Sequence, residues 1–85
     1  MKNKDLYQIN PGIAWISESD GNIALILPGR NDTICLGGLE AILWRTLWQR
    51  LPPNLWEKVF TQQGQDLAQV IQNWVKSGLI TEVKS

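Results

Sequence analysis

Two short apolar runs on either side of a turn signal constrain the fold of this chain more than any other feature. The runs are residues 13–17 and 23–27, and Asp20-Gly21 lies between them. Asp and Gly tolerate the positive φ angles that a tight hairpin turn requires. A third apolar run, residues 33–36, follows Pro28-Gly29, which is another turn signal. The sequence therefore predicts a three-stranded antiparallel sheet.

Three helices are predicted after these strands. From Leu39 onward, apolar residues recur at three- and four-residue spacing until Pro52-Pro53 stops the pattern. Asn54 with Glu57 three residues later has the form of a capping box, and Gly64 ends the second helix that it begins. The third helix is predicted over residues 66–77.

The third helix has the clearest boundaries. Asp66 with Gln69 repeats the capping pattern, and Gly78 suits the left-handed position that follows a helix. The predicted fold class is α+β, with a winged helix-turn-helix-like layout in which the sheet precedes the helices. A chain of 85 residues holds one core. We assign residues 13–85 to that single domain and residues 1–12 to a flexible N-terminal segment, while residues 79–83 either add a short strand or cover the core.

The composition predicts a protein that acts by binding. The chain has no His, and Cys35 is its single cysteine, so we predict no catalytic residue, no metal ligand and no cofactor. Eight basic residues balance eight acidic ones, which disfavours nucleic acid and anionic membranes as partners. No apolar run approaches the ~20 residues of a membrane span, and one thiol suits a reducing compartment. These features predict a cytoplasmic protein.

Five tryptophans in so short a chain call for an explanation. Three of them, Trp15, Trp44 and Trp74, are expected in the core, each indole N–H bonded to a carbonyl. Trp48 falls at the edge of the first helix's apolar stripe and is expected to be partly exposed. Trp48 and Trp56 are assigned to a partner interface, with burial in the core as the alternative. Cys35 is expected to behave as a small, buried apolar residue.

A set of fold-determining positions between residues 13 and 83 resembles a known family. It comprises Leu36 at the end of the third strand, Leu43-Trp44 in the next helix, Val70-Ile71, Trp74 and Gly78-Leu79-Ile80. In these positions the chain resembles PqqD and the related precursor-peptide recognition elements of ribosomal peptide natural-product (RiPP) pathways. Gly37 differs from the Asn that is frequent in the family, and Trp74 replaces the commoner Leu.

The resemblance implies a stand-alone, non-catalytic module. Such domains capture the leader part of a precursor peptide as an added strand, in a groove between the third strand and the third helix, and present it to a modifying enzyme. The matching positions are Asn31, Asp32, Thr33, Ile34, Cys35 and Leu36 on the strand, and Val70, Asn73, Trp74 and Ser77 on the helix. A radical-SAM enzyme is the usual partner, and one that excises a tyrosine-derived unit is one candidate. The Cys ligands for its iron-sulfur clusters belong to that enzyme.

Three alternatives stay open. A winged-helix DNA-binding regulator shares this layout, but its recognition helix should carry Arg, Lys or Asn toward bases and phosphates, and residues 66–77 offer one Lys and one Asp. An enzyme subunit or homodimer without a peptide groove would use the Trp-rich first helix as its interface. Finally, residues 7–9 or 79–83 could cover the edge of the third strand.

Overall fold

Five strands and three α-helices make up the described part of this computed structural model, residues 6–29 and 33–83. The strands are β1 (Leu6–Ile9), β2 (Ala14–Ser17), β3 (Ile23–Ile26), β4 (Thr33–Leu36) and β5 (Ile80–Val83). The helices are α1 (Gly38–Trp48), α2 (Glu57–Gln62) and α3 (Leu67–Lys76), and a 3-10 helical turn covers Pro53–Trp56. The predicted α+β class is confirmed. The strands do not all precede the helices, because β5 follows α3.

The predicted hairpin and third strand form one antiparallel sheet in the order β2-β3-β4. Strand β4 has the predicted bounds, whereas β2 and β3 are each one residue shorter than predicted. In the β2–β3 turn only Gly21 has a positive φ angle, 91°. Asp20 instead accepts a hydrogen bond from the Asn22 N–H through Oδ1, at 3.0 Å. The turn prediction is therefore correct for Gly21 and wrong for Asp20.

The two faces of this sheet differ in burial although both are apolar. Ile23 and Leu25 point inward and are fully buried. The other face carries Ala14, Ile16, Ala24, Ile26, Thr33 and Cys35, with Ile16 59% and Ile26 44% exposed. The expected burial of Cys35 is wrong: its register position opposite Ala24 places it on this outer face, where it is exposed.

A second sheet joins the two ends of the described chain. Strands β1 and β5 pair antiparallel, from Leu6 opposite Val83 to Ile9 opposite Ile80. Asn10 extends the pairing, since its N–H donates to the Leu79 carbonyl at 3.0 Å and its Nδ2 donates to the Gly78 carbonyl at 3.1 Å. Residues 6–9 thus form a strand inside the segment that was predicted to be flexible, because burial of Ile9 and pairing with β5 hold them. Of the two expectations for residues 79–83, the short strand is the one observed.

Helix α1 ends earlier than predicted. It stops at Trp48, before Pro52-Pro53, because the chain turns at Arg50, which has a φ angle of 63°. The Arg50 N–H donates to the Leu47 carbonyl at 2.9 Å and the Leu51 N–H donates to the Thr46 carbonyl at 3.1 Å. These two bonds form a Schellman motif with Arg50 at the left-handed position.

The capping predictions differ in outcome between the second and third helices. The capping box at Asn54 is wrong, because a 3-10 turn with Pro53 at its first position precedes α2 and no side chain caps either element. The Asp66 cap is confirmed, since its Oδ1 accepts from the Ala68 N–H at 3.0 Å and the Gln69 N–H at 3.4 Å. Gly78 has the predicted positive φ angle, 81°.

The core lies between α1, α3 and the inner sides of both sheets, with Trp44 fully buried in it. The Trp44 ring meets the Trp15 ring edge-on at 6.3 Å and the Trp74 ring edge-on at 5.8 Å between centroids. Trp74 is buried as expected and Trp15 is half-buried. The expectation that each indole N–H has a partner fails for Trp44, whose Nε1 has none among the described residues.

In the same part of the chain no helix has the length and apolarity to cross a bilayer.

Candidate functional site

The outer edge of β4 is open. Strand β4 is the last strand of the sheet β2-β3-β4, and within residues 6–29 and 33–83 no strand pairs with its far side. Strands β1 and β5, the segments that could have closed this edge, pair with each other instead. Residues 7–9 and 79–83 therefore do not cover the edge of β4 by strand pairing.

The hydrogen-bonding pattern tells which β4 groups face the open edge. The Glu18 N–H donates to the Asn22 carbonyl at 2.8 Å, so Asn22 and every second residue after it on β3 bond toward β2. Ile23 and Leu25 must then bond toward β4, where their partners are Leu36 and Ile34. The alternation leaves the backbone N–H and C=O groups of Thr33 and Cys35 pointing away from the sheet. These are the groups that an added strand would meet.

The side chains of β4 alternate between the outer face and the core face of the sheet. Leu36 is buried and Ile34 half-buried against the core, whereas Thr33 and Cys35 are exposed. The remaining predicted strand positions, Asn31 and Asp32, lie outside the described residues. No Lys or Pro, the residues that commonly protect an edge strand, occurs from residue 31 to 36.

The four predicted peptide-binding residues of α3 divide into three on an outer flank of the helix and one in the core. Val70, Asn73 and Ser77 share one flank of α3, as their spacing of three and four residues requires. Val70 is half-buried against the core, and Asn73 and Ser77 are exposed. Asn73 Oδ1 accepts from Gln69 Nε2 at 3.1 Å on this flank. Trp74 is 5% exposed and belongs to the core, so its ring does not line a surface groove. The main packing neighbours of α3 are β5 and α2.

Trp48 lies over a cavity of about 780 Å³ between β1, β2 and the end of α1. Its side chain is 57% exposed, which confirms the expected partial exposure. The Trp48 ring meets the Trp15 ring edge-on, with centroids 5.3 Å apart. Tyr7, Ile9 and Arg50 also line this cavity.

Trp56 is held within the structure more firmly than Trp48. Its Nε1 donates to the Thr46 hydroxyl at 2.6 Å, and that hydroxyl donates to the Ile42 carbonyl at 2.9 Å. The ring is half-buried beside a smaller cavity of about 240 Å³ that Leu51 and Leu55 also line. The interface role of Trp56 stays a prediction, whereas its role in joining the 3-10 turn to α1 is visible.

Sequence reasoning missed the cavity beside Trp48 because two of its walls have little local signal in the sequence. Residues 7–11 become a wall when β1 pairs with β5, far away in the sequence. Arg50 stands inside a run that continues the apolar helical pattern to Leu51, so the pattern hides the turn. The alternation of Tyr7 and Ile9 with polar neighbours was the one signal for a strand in this region.

Comparison with known proteins gives no relative. No protein-family model, curated protein or solved structure matches this chain.

Proposed function

We propose that this protein is a non-catalytic peptide-binding module that captures the leader segment of a ribosomally made precursor peptide by strand addition to β4. The open edge of β4 is the observation that supports the proposal best. Strand addition uses backbone hydrogen bonds for affinity and alternate side-chain contacts for specificity. Thr33 and Cys35 present the backbone groups, and Ile34 and the flank of α3 that carries Val70 supply apolar and amide contacts.

The wider architecture in this proposal is a PqqD-like winged helix-turn-helix. The sheet β2-β3-β4 corresponds to the wing, and α1 to α3 form the helical part. The pair β1–β5 is then an addition that ties the two ends of the domain together. An open edge without protective residues would promote association with other chains in a protein that had no strand partner.

The chemistry belongs to a second protein in this proposal. The bound leader is presented to a modifying enzyme of the radical-SAM class, and an enzyme that excises a tyrosine-derived unit is one candidate. Its iron-sulfur clusters require several Cys ligands, whereas this chain has Cys35 alone. Such clusters and a single free thiol both suit a reducing cytoplasm. Trp48 and Trp56 remain the predicted contacts with the enzyme.

Calorimetry with the leader peptide of the precursor encoded beside this gene tests the proposal. A short added strand that must be ordered on binding should give a dissociation constant of about 0.1–10 μM. A scrambled leader peptide and a short DNA duplex are the matched controls, and neither should bind in this range. Absence of binding by the true leader at about 1 mM, or tighter binding of the duplex, would contradict the proposal.

A further inference from the structure

The cavity beside Trp48 has the size and lining of a binding site that is separate from the β4 edge. Its volume of about 780 Å³ falls within the ~300–1,000 Å³ that is usual for pockets that enclose a ligand. Aromatic and aliphatic side chains form most of its wall, including Tyr7, Ile9, Ile13, Trp15 and Trp48. Trp48 is 57% exposed there, although a large aromatic side chain is normally well buried.

Arg50 is the one Lys, Arg, Asp or Glu among the described residues that line this cavity. It has a φ angle of 63°, whereas every other described residue with a positive φ angle is a glycine. A glycine would fit this C-terminal position of α1 without the steric cost of a side chain. Residues held in such sparsely populated backbone conformations cluster at active sites, ligand clamps and switch regions.

The Arg50 guanidinium is available to a ligand. Within the described part of the chain its side chain has no hydrogen bond or ion pair. Arg45 provides the contrast, because its guanidinium donates to the Ser17 hydroxyl at 2.7 Å and to the Gly21 carbonyl at 3.2 Å. Arg45 therefore serves the fold, while the Arg50 guanidinium has no polar side-chain partner within the described residues.

Strand β1 borders the cavity, and its edge away from β5 has no paired strand among the described residues. The Asn10 N–H donates to Leu79 on the β5 side, so the alternation of an antiparallel pair directs the backbone groups of Ile9 to the opposite edge. Ile9 lies in the cavity wall. An extended peptide segment in the cavity would thus meet a backbone donor and a backbone acceptor beside the apolar wall. A compact small molecule does not require these two backbone groups.

We propose that this cavity is a second peptide-binding site, which takes a partner segment with one large apolar side chain next to a carboxylate. The apolar side chain packs against Trp15 and Trp48, and the carboxylate pairs with Arg50. A single cation in an otherwise uncharged wall matches one negative charge and not a polyanion. The site does not depend on leader binding at β4, so either proposal can fail without the other.

Nuclear magnetic resonance of the indole N–H groups provides the test. The probes are two blocked peptides, acetyl-Asp-Phe-Leu-amide and its neutral counterpart acetyl-Asn-Phe-Leu-amide. We expect the acidic peptide to shift the indole signals of Trp15 and Trp48 and to leave those of Trp56 and Trp74 in place. The neutral peptide should bind about two- to fivefold more weakly, since an exposed charge pair contributes a modest part of the affinity.

Variants separate the charge from the apolar wall. Arg50→Gln and Arg50→Gly should both abolish the preference for the acidic peptide, and Arg50→Gly should do so without lowering the melting temperature. Trp48→Ala should weaken binding at least about fivefold, whereas Leu55→Ala, an exposed apolar residue beside the other cavity, should not.

Four results would overturn the proposal. These are unchanged Trp15 and Trp48 signals with both peptides at several millimolar, equal affinity of the two peptides, a preference that survives in Arg50→Gln, and a concentration-dependent dimer that moves the two signals without any peptide.

Discussion

Two neighbouring proline substitutions in β4 should have opposite consequences. The N–H of Cys35 points to the open edge of the sheet, and the N–H of Ile34 points to Leu25 on β3. Proline removes the N–H in either case. Cys35→Pro should therefore keep the fold and weaken leader binding, because the lost donor is one that the leader uses. Ile34→Pro should break the pairing with β3 and destabilise the whole domain.

The magnitude for Cys35→Pro follows from one missing hydrogen bond in a strand pair. Loss of the bond costs about 0.5–1.5 kcal/mol, and an unpaired carbonyl on the bound leader raises the cost to about 1–3 kcal/mol. The dissociation constant should rise between about fivefold and about 150-fold. Side-chain loss adds little, since Cys35 is exposed. Cys35→Ala is the control, and it should bind the leader like the wild type.

Calorimetry for binding and thermal unfolding by circular dichroism for stability are the two assays. The expected pattern is a folded, weakly binding Cys35→Pro variant beside a destabilised Ile34→Pro variant. If Cys35→Pro bound the leader with unchanged affinity while remaining folded, the leader would not pair with the outer edge of β4. If Cys35→Pro unfolded and Ile34→Pro did not, the assignment of inward and outward groups on β4 would be wrong.

Three other variants test the remaining surfaces. Val70→Asp should weaken leader binding by a large factor. Val75 is exposed on another side of α3, so Val75→Asp should leave leader binding unchanged. Equal effects of the two substitutions in calorimetry would remove α3 from the leader site. Trp48→Ala should weaken pull-down of the modifying enzyme, because the binding free energy falls by about 2–4 kcal/mol, and should shift the melting temperature of the protein by a few degrees at most. Unfolding of the variant would make Trp48 a core residue. Arg50→Gly should stabilise the fold by about 0.5–1 kcal/mol, because relief of left-handed strain exceeds the entropy cost of glycine. Scanning calorimetry in about 0.3 M salt, which screens the helix dipole, should show a melting temperature roughly 2–8 °C higher, and a decrease would contradict this account.

The parts of the fold that the sequence predicted are those with a local cause. Asp66 caps α3 within three residues, and Gly21 shapes the β2–β3 turn next to the strands that it joins. The β1–β5 pair has no local cause, because Asn10 and Gly78 meet across 68 positions of sequence. No short window contains both strands.

The candidate site shows the same division. The β4 strand was predicted with the correct bounds, since turn signals and Gly37-Gly38 delimit it. The exposure of Cys35 could not be predicted, because both faces of the sheet are apolar and a period of two then fails to show which face is buried. Trp74 lies only about 40° from Val70 around α3, so helical periodicity alone did not separate a core residue from a groove residue.

The pairing of β1 with β5 has a consequence for how the domain assembles and opens. Closing a loop of 68 positions costs conformational entropy on the order of 4 kcal/mol, which the short β1–β5 ladder and the burial of Ile9 and Ile80 must offset. The β2-β3-β4 sheet needs far shorter loops, so we expect it to form earlier and to stay closed longer. Transient opening of the β1–β5 pair would remove one wall of the Trp48 cavity and leave the edge of β4 intact. Occupation of that cavity would then favour the closed form, and a segment bound there would stabilise the pairing of the two ends of the domain.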